Sequence, residues 1–297
     1  MAAASLPQIR SISGNLTLIA FVALVIVGGG ASVAIRYTYA ELPVYWGATA
    51  RFLVAALIFW GLAWGKGIAL PRGRALVGAA LFGALSVGAS FIFIYYGLTQ
   101  LPASLYQVVV ALAPLLTLIF AAGHGLEKLQ GRGLMGASLA VIGIVVIFGG
   151  SVSGTVSLPH LLAVIAGTAC LAEAGIVAKR FPRSHPIATN AVAMTVGAVM
   201  LGATSLINGE AWVLPATTAT WLAFAYIVVG ASVIAFLLYV FVLGRWTASA
   251  ASYAFVLFPL VTVIVATQMA GEQITWGFIG GGLLVLGGVW FGALRQS

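Results

Sequence analysis

Residues 103–118 read ASLYQVVVALAPLLTL and residues 248–263 read ASAASYAFVLFPLVTV, so that one pattern occurs twice at a spacing of 145 residues. Both copies open with Ala-Ser, contain Leu-x-Pro-Leu-x-Thr, and continue to a Glu and two Gly residues. Across 103–145 and 248–290, 12 of the 43 compared positions are identical. An internal duplication of this kind predicts two structurally equivalent halves.

The composition indicates a polytopic helical membrane protein. The chain is 62% hydrophobic and 6% charged, whereas soluble domains carry about 25% charged residues. Apolar segments recur along the whole chain, each near the ~20 residues that cross the hydrocarbon core of a bilayer. The first of them is full length, so we interpret it as a retained helix and not as a signal peptide.

Ten membrane spans are predicted, and they are separated by Gly, Pro and short charged runs. The fold class is therefore expected to be an all-α integral membrane protein with ten transmembrane helices. The predicted spans cover residues 16–35, 43–64, 75–98, 103–122, 133–149, 160–178, 187–206, 219–243, 248–270 and 276–294.

Lys and Arg residues are distributed very unequally between the two sides of the predicted membrane. If both termini lie on one side, that side carries eleven of these residues and the other carries only Arg36, while Arg51 falls inside a span. Cytoplasmic loops are enriched in Lys and Arg, so both termini are predicted to be cytoplasmic. The eleven residues are Arg10, Lys66, Arg72, Arg74, Lys128, Arg132, Lys179, Arg180, Arg183, Arg245 and Arg295.

The two halves are predicted to be inverted relative to each other. Each has five spans, an odd number, so the second starts on the opposite side of the membrane from the first. The seven-residue spacing from Arg36 to Pro43 recurs from Lys179 to Pro186, which extends the duplication over the whole chain as repeats 1–150 and 151–297. Inverted repeats are typical of secondary transporters, whose substrate site lies near the bilayer midplane where the halves meet.

Pro114 and Pro259 are predicted near the centres of the fourth and ninth spans. A Pro inside a helix lacks an N–H and clashes with the carbonyl four residues back, here that of Val110 or Phe255. The freed carbonyls need partners, so the kinks are expected to face protein or a water-filled cavity. The matched positions favour a pair of hinges, and static kinks are the alternative because Pro is common in membrane helices.

Four ionisable residues in or near the spans are candidate functional groups. Glu127 and Glu272, one after each duplicated Pro motif, are interpreted as caps for the following helix, with a direct role in transport as the alternative. Glu173 lies inside a span, where it could carry a coupling proton or bind the amino group of a substrate. The structural alternatives are an ion pair within the protein or a side chain that extends to the cytoplasmic end of the span. Arg51 either binds a carboxylate or, as we favour, holds helices together through carbonyls or Glu173.

A set of polar and aromatic side chains is predicted to line a substrate cavity. Gln107 and Ser252 occupy equivalent positions seven residues before each Pro. For the Tyr residues the alternative is a place in the interfacial aromatic belt. For the small residues of the first and third spans the alternative is close helix packing. We also interpret the glycines of the fifth and tenth spans as packing positions. The predicted cavity residues are Ser32, Ser86, Ser90, Tyr106, Gln107, Glu173, Ser232, Tyr239, Ser252 and Tyr253.

Enzymatic, metal and nucleic-acid chemistry have little support in the sequence. There is no Asp, the three His residues have no ligand spacing, and Cys170 is the single Cys, so no cofactor or metal is expected. The net charge of +8 comes from Lys and Arg scattered over short loops, which is unlike a nucleic-acid-binding surface. The expected partners are a small-molecule substrate and the lipid bilayer, and the oligomeric state is left open.

The five-plus-five pattern resembles the EamA branch of the drug/metabolite transporter superfamily. The residues that carry the resemblance are Arg51-Phe52, Ala103-Ser104 with Pro114 and Glu127, and Ala248-Ser249 with Pro259 and Glu272. Within the superfamily the chain is similar to the YddG-type aromatic amino-acid exporters of bacterial inner membranes. This resemblance implies efflux of amino acids or related metabolites by alternating access through a central cavity, with kinks at Pro114 and Pro259.

Scarce charge inside the spans agrees with a zwitterionic substrate, which needs a few polar contacts at each end and apolar surface between them. The leading hypothesis is therefore an exporter of aromatic and other neutral amino acids. A multidrug exporter of lipophilic cations is the alternative, for which Glu173 would be the acidic residue. No matching Arg stands in the second repeat, where Met194 and its neighbours correspond to Arg51, so any role of Arg51 is confined to one half.

Overall fold

The computed structural model describes residues 8–101, 103–148, 150, 157–270 and 275–293. Within these residues it forms ten helical spans and no strand. Nine of the described helices are long and apolar enough to cross a membrane, and the tenth span is a shorter apolar helix. The spans are α1 Gln8–Tyr39, α2 Val44–Gly65, α3 Arg74–Leu98, α4 Ala103–Val110 with Ala113–Gly123, α5 Gly131–Phe148, α6 Leu158–Arg180, α7 Pro186–Ile207, α8 Thr218–Leu243, α9 Ala248–Ala270 and α10 Trp276–Gly292.

Contacts between the spans follow a two-fold arrangement. The spans α2 and α7 pack against each other, and so do α5 and α10, so each pairs with its own equivalent in the other repeat. The contact of α3 with α6 has its equivalent in α8 with α1, and that of α4 with α6 in α9 with α1. An approximate two-fold axis in the membrane plane produces this pattern. The prediction of ten transmembrane helices in two inverted five-helix repeats is therefore confirmed.

The connections between spans form two faces of the bundle. We call the face formed by the connections after α2, α4, α6 and α8 the basic face, because nine of the Lys and Arg residues that the structure describes lie there. Hydrogen bonds join these connections, as between Arg180 and His124 and between Ser249 and Glu127. The connections α1–α2, α3–α4 and α7–α8 lie on the opposite face. The described basic residues of the basic face are Lys66, Arg72, Arg74, Lys128, Arg132, Lys179, Arg180, Arg183 and Arg245.

Glycines bring α5 and α10 into backbone contact. A Cβ atom added at Gly143 would lie 2.6 Å from the carbonyl oxygen of Gly281, and one added at Gly288 would lie 2.6 Å from that of Gly136. These two contacts are equivalent under the 145-residue offset, since Gly136 corresponds to Gly281 and Gly143 to Gly288. Small residues permit such approach between membrane helices. The glycine pattern of both spans thus lies where the repeats meet.

Adjacent glycines on α10 provide a matched test of this contact. Gly281→Ala would place a Cβ 2.5 Å from the carbonyl oxygen of Gly143, whereas Gly280→Ala would meet nothing within 4 Å. We expect Gly281→Ala to destabilise the protein by about 1–3 kcal/mol through overpacking. Gly280→Ala should be neutral or stabilise it by about 0.5–1 kcal/mol, because Ala is the better helix former. Thermal denaturation of both variants in detergent measures the difference, and equal melting temperatures would contradict the contact.

Two spans contain π-helical segments at equivalent positions. Ala84–Ala89 in α3 and Ile227–Ile234 in α8 have this geometry, and the offset of 145 residues places the first within the second. Such segments are rare and frequently occur at functional sites. Sequence analysis did not predict them, because π-helical geometry has no distinctive residue pattern.

The two duplicated prolines have different structural consequences. Pro114 lies at the start of the second half of α4, which is interrupted at residues 111–112. Pro259 lies inside α9, which continues as one helix through it. Both prolines are buried within the protein. The repeated Pro therefore breaks one span and not the other, and the proposed hinge function of both residues stays a prediction.

Candidate functional site

A buried arginine links the two repeats in the interior of the bundle. Arg51 on α2 is only 4% exposed, and its Nε donates a hydrogen bond to Ser232 Oγ on α8 at 2.6 Å. The guanidinium carbon lies 4.7 Å from the ring centre of Phe52 and 5.8 Å from that of Phe91. Aromatic rings attract a desolvated guanidinium through their quadrupoles. Arg51 is thus held by one hydroxyl and two rings.

The π-helical geometry of α8 prepares Ser232 for this contact. Its hydroxyl donates to the carbonyl of Ile227, five residues back, at 3.0 Å. The Oγ lone pairs remain to accept from Arg51. The hydroxyl is therefore donor and acceptor at once, and it orients the guanidinium.

Aromatic side chains surround this buried arginine. Tyr95 packs against Phe91, Tyr39 and Tyr45 with ring centres 5.3, 5.6 and 6.3 Å apart respectively, and Tyr106 packs against the same group. The buried hydroxyl of Tyr39 lies beside that of Tyr95. The aromatic group therefore brings polar atoms as well as apolar surface to the interior of the bundle.

Arg51 has no acidic partner among the described residues. Glu173, the one carboxylate described inside a span, pairs instead with His124 at 3.0 Å. A guanidinium has five N–H donors, and within the described part of the chain only Nε–H of Arg51 has a protein acceptor. An unpaired buried charge is costly. This arrangement offers the remaining donors to a ligand that carries negative charge.

Glu173 belongs to a separate polar group near the basic face. His124, which follows the last residue of α4, contacts Glu173 through Nε2 and Arg180 Nη1 through Nδ1 at 2.7 Å. Both partners lie on α6. Glu173 thus has a histidine partner, and this contact joins α4 to α6. Which of the roles expected for Glu173 it serves stays a prediction.

A cavity of about 440 Å³ lies at the basic face between α3, α6, α7 and α8. Phe82, Phe181 and Phe241 give it apolar walls, and Arg183 and Arg245 give it positive charge. None of the nine predicted cavity residues whose side chains the structure describes lines it, because it lies at the ends of these spans while those residues lie further inside them. Its composition suits amphipathic molecules that carry a carboxylate.

Glu127 joins the two repeats at the basic face. Its carboxylate accepts hydrogen bonds from the backbone N–H of Ser249 at 3.1 Å and from the Ser249 hydroxyl. The expectation that Glu127 caps a helix is met, but the helix is α9 of the other repeat and not the following α5. Both residues belong to the duplicated motif, so part of that motif is a contact between repeats. Glu272 lies outside the described residues.

Two further glutamates join the repeats at the opposite face. Glu210, after α7, accepts from the backbone N–H groups of Tyr45 and Trp46 at the start of α2, at 3.1 and 2.7 Å. Glu41, after α1, accepts from the backbone N–H of Ala216 at 2.6 Å and from the Thr217 hydroxyl at 2.6 Å, just before α8. Anionic groups stabilise helix N-termini. Together with Glu127, three carboxylates therefore connect one repeat to a helix start in the other.

The Glu41 contact predicts a defined pH dependence. Hydrogen bonds from Thr217, then Thr220, and from backbone N–H groups lower the pKa of Glu41 from 4.5 to about 2. A lowered pKa in the folded state stabilises the protein above the unfolded value and ceases to do so as the pH falls through the folded value. The melting-temperature difference between wild type and Glu41→Gln should therefore be constant above about pH 5 and shrink between about pH 4.5 and pH 2. A difference that is unchanged at the acid end would contradict the contact.

Comparison with known proteins identifies the family. The model of the EamA-like transporter family matches residues 15–149 and again residues 158–293, so nearly the whole chain is covered by two matches. The chain belongs to the EamA-like transporter family. It is accordingly a membrane transporter, and the resemblance inferred from the duplicated Pro motif is confirmed at the level of the family and of the drug/metabolite transporter superfamily.

Individual relatives add detail to this family assignment. The chain is 29% identical over 263 residues to the "Uncharacterized inner membrane transporter YedA" of Escherichia coli strain K12, covering 86% of this chain and 83% of the relative. The YedA of Escherichia coli O157:H7 matches to the same extent. A solved crystal structure of another protein is 18% identical, with a TM-score of 0.81 over 95% of this chain and 97% of that one. At this identity the last similarity supports the fold alone.

The family fold brings some of the predicted cavity residues together and separates others. Ser232 contacts Arg51, and Tyr106 packs in the surrounding aromatic group. Ser86 and Ser90 are buried in and beside the π-helical segment of α3, where each hydroxyl donates to a carbonyl four residues back. These four residues lie on α3, α4 and α8.

The remaining predicted residues lie elsewhere in the transporter. Ser252 donates to the carbonyl of Ser249 at 2.7 Å, and Tyr239 packs against Phe255 with ring centres 5.4 Å apart. Tyr253 faces α10, since a Cβ added at Gly292 would meet its hydroxyl. Gln107 is half-buried on the first part of α4, Glu173 contacts His124, and the side chain of Ser32 lies outside the described residues. Whether these residues line a substrate path stays a prediction.

Sequence analysis does not identify several residues that form the contacts described above. Glu41 and Glu210 were given no role, although the chain has only five acidic residues and both lie beside predicted span ends. A scarce carboxylate at such a position is a usable signal for a helix cap. Phe91 and Tyr39 were also missed, and they carry no signal that distinguishes them from other aromatic residues in an apolar chain.

Proposed function

We propose that this transporter exports amino acids, chiefly aromatic and other neutral ones, together with related metabolites. Alternating access would carry them through a central cavity between the repeats. The observation that supports this most is the buried Arg51, which faces no carboxylate among the described residues and is surrounded by aromatic rings. The membrane is proposed to be the bacterial inner membrane, as for YedA, with both termini cytoplasmic as the Lys and Arg distribution indicates.

An amino acid complements the surroundings of Arg51 in charge and shape. A planar guanidinium binds a carboxylate through two parallel hydrogen bonds. Because Nε is occupied by Ser232, the substrate would use the two terminal nitrogens. The rings of Phe91 and Tyr95 would contact an apolar or aromatic side chain, and edge-to-face contact of rings adds to that burial.

The contacts between repeats support transport by alternating access. Glu127 joins them at the basic face, and Glu41 and Glu210 join them at the opposite face. If the repeats rock about a central site, contacts at the two faces form and break in turn. Hydrogen bonds from backbone N–H groups at the ends of the spans to carboxylates suit this role, because water replaces such bonds at small net cost.

Export of lipophilic cations is the weaker alternative. A cation site inside the membrane needs an available carboxylate. Glu173 is engaged by His124 and lies beside Arg180, and the positive charge of Arg51 opposes a cation elsewhere in the interior. The geometry therefore favours a substrate that carries a carboxylate.

Counterflow in proteoliposomes tests the proposal. Purified protein would be reconstituted with unlabelled phenylalanine inside, and uptake of radiolabelled phenylalanine, leucine and tetraphenylphosphonium would be compared. We expect exchange of the two amino acids and none of the cation. Exchange of the cation without that of any amino acid would overturn the proposal in favour of the alternative.

A further inference from the structure

The contacts of His124 determine which of its two nitrogens carries a proton. Its Nδ1 lies 2.7 Å from Arg180 Nη1, and its Nε2 lies 3.0 Å from Glu173 Oε1. A guanidinium only donates hydrogen bonds, so Nδ1 must accept. The ring proton then resides on Nε2 and is donated to the carboxylate. Both contacts exist together only while the imidazole is neutral.

A proton added to this group breaks one of its links. A proton on Nδ1 would place an N–H against the N–H of Arg180 and two positive charges in contact, so that link would open. A proton on Glu173 would remove the charge that strengthens the other link. The His124 and Glu173 side chains are 33% and 30% exposed, so protons reach them directly from solution at the basic face. Histidine ordinarily changes charge between about pH 5 and pH 8.

We propose that His124 and Glu173 form a proton-binding site, filled from the basic face, and that a bound proton opens the contact between His124 and Arg180 and so loosens α4 from α6. The second half of α4, Ala113–Gly123, is separated from the first by the break before Pro114. It can therefore shift as a unit once the Glu173 contact is the one described polar link left at its end. The proton thereby acts on a span that lines the interface between the repeats.

The equivalent positions of the other repeat cannot respond to protons. His124 corresponds to Met269 by the 145-residue offset, and Glu173 corresponds to Gly30 by the offset of 143 residues that relates Arg36 to Lys179. Neither group titrates. Protonation therefore favours movement in one half of the inverted pair only, and this asymmetry couples the proton to one of the two openings of the transporter.

Other charged or titratable groups on the surrounding elements have different partners or do not change charge in this pH range. Glu127 accepts from Ser249, and Lys179 donates to the carbonyl of Trp246. Arginine stays charged and Tyr and Lys stay protonated between about pH 5 and pH 8. His185, in the connection after α6, accepts from the backbone N–H of Ile187. The remaining groups on α3, α5, α6, α8 and α9 and their connections at this end are Lys66, Arg72, Arg74, Lys128, Arg132, Cys170, Arg183, Tyr239, Arg245 and Tyr253.

Distance measurements between the two spans test the proposal without any substrate. In a Cys170→Ala background, spin labels are attached at Gly123→Cys, where a Cβ meets nothing within 4 Å, and at Pro182→Cys just after α6. Lowering the pH from about 8 to about 5.5 should add a longer-distance population. Because no amino acid is involved, failure here is separate from failure of the proposed substrate.

Variants of the group make the experiment specific. His124→Gln keeps an acceptor and a donor but never becomes charged, so its distance distribution should not change with pH. Arg180→Leu removes the His124–Arg180 contact at any pH and should show the longer distance already at about pH 8. His160→Gln and His185→Gln, whose rings contact Ser157 and the Ile187 N–H, should respond as the wild type does.

Two results would contradict the proposed proton-binding site. A pH response that persists in His124→Gln would overturn the proposal, and so would an unresponsive wild type. If His124→Gln does not fold, Arg180→Leu provides the test. A distance distribution in Arg180→Leu that equals that of the wild type at about pH 8 would show that the His124–Arg180 contact does not hold α4 against α6. In counterflow assays the pH dependence of exchange should also be flatter in His124→Gln and Glu173→Gln.

Discussion

Arg51→Met is expected to weaken amino-acid binding by at least about 30-fold, because losing one partner of a buried charge pair costs about 2–5 kcal/mol. The fold should survive the change. Methionine has a similar length and suits the contacts with Phe52 and Phe91, and the Ser232 hydroxyl keeps its bond to the carbonyl of Ile227. Binding of radiolabelled phenylalanine to purified protein measures the loss, and a melting curve verifies folding.

A substrate without a carboxylate separates recognition from general damage. Phenethylamine retains the ring and the ammonium group of phenylalanine, so the wild type should bind it weakly because Arg51 repels its charge. Arg51→Met should bind it better than the wild type does, which a merely damaged site would not. Arg132→Met removes a charge from the exposed basic face and should leave both ligands unaffected. Unchanged phenylalanine affinity in Arg51→Met would leave Arg51 with a structural role alone.

Much of this fold could be predicted from the sequence because the bilayer imposes simple rules. Span length and apolar composition specify the ten helices, and the 145-residue offset specifies which of them are equivalent. Gly136, Gly143, Gly281 and Gly288 were readable as packing positions because only small residues allow backbones to touch. These features depend on composition and period, which are properties of short stretches of sequence.

Partners that are remote in sequence could not be predicted. The capping function of Glu127 was anticipated, but its partner Ser249 lies 122 residues away, and a single sequence does not indicate which helix end comes close. The same reason applies to Arg51 and Ser232, which are 181 residues apart. In both cases the residue type predicted the chemistry, and the tertiary packing of the two repeats chose the partner.

The two repeats differ in their charged residues and in the effect of their prolines. Arg51 has no counterpart in the second repeat, and Met269 and Gly30 stand at the positions that correspond to His124 and Glu173. A transporter built from identical halves would respond alike from both sides. The differences between the halves are therefore the places where direction and coupling can be encoded.

The interruption of α4 leads to an unequal effect of the two duplicated prolines on transport. Pro114→Ala restores an N–H that can bond the carbonyl of Val110, and so it favours a continuous helix by about 3 kcal/mol. If α4 must bend at this break during the cycle, exchange should slow by up to about 100-fold while phenylalanine binding is retained. Pro259→Ala should slow exchange far less, because α9 is already continuous through that residue.

The two single variants control for each other, since each removes one buried proline from an equivalent position of the duplicated motif. Rates of phenylalanine counterflow and equilibrium binding are measured on both, so that a slower cycle is distinguished from a weaker site. Equal slowing by the two substitutions would mean that the break in α4 has no special role. Normal exchange in Pro114→Ala would leave the interruption at residues 111–112 as a fixed bend, and the moving element would then have to be sought in the π-helical segments of α3 and α8.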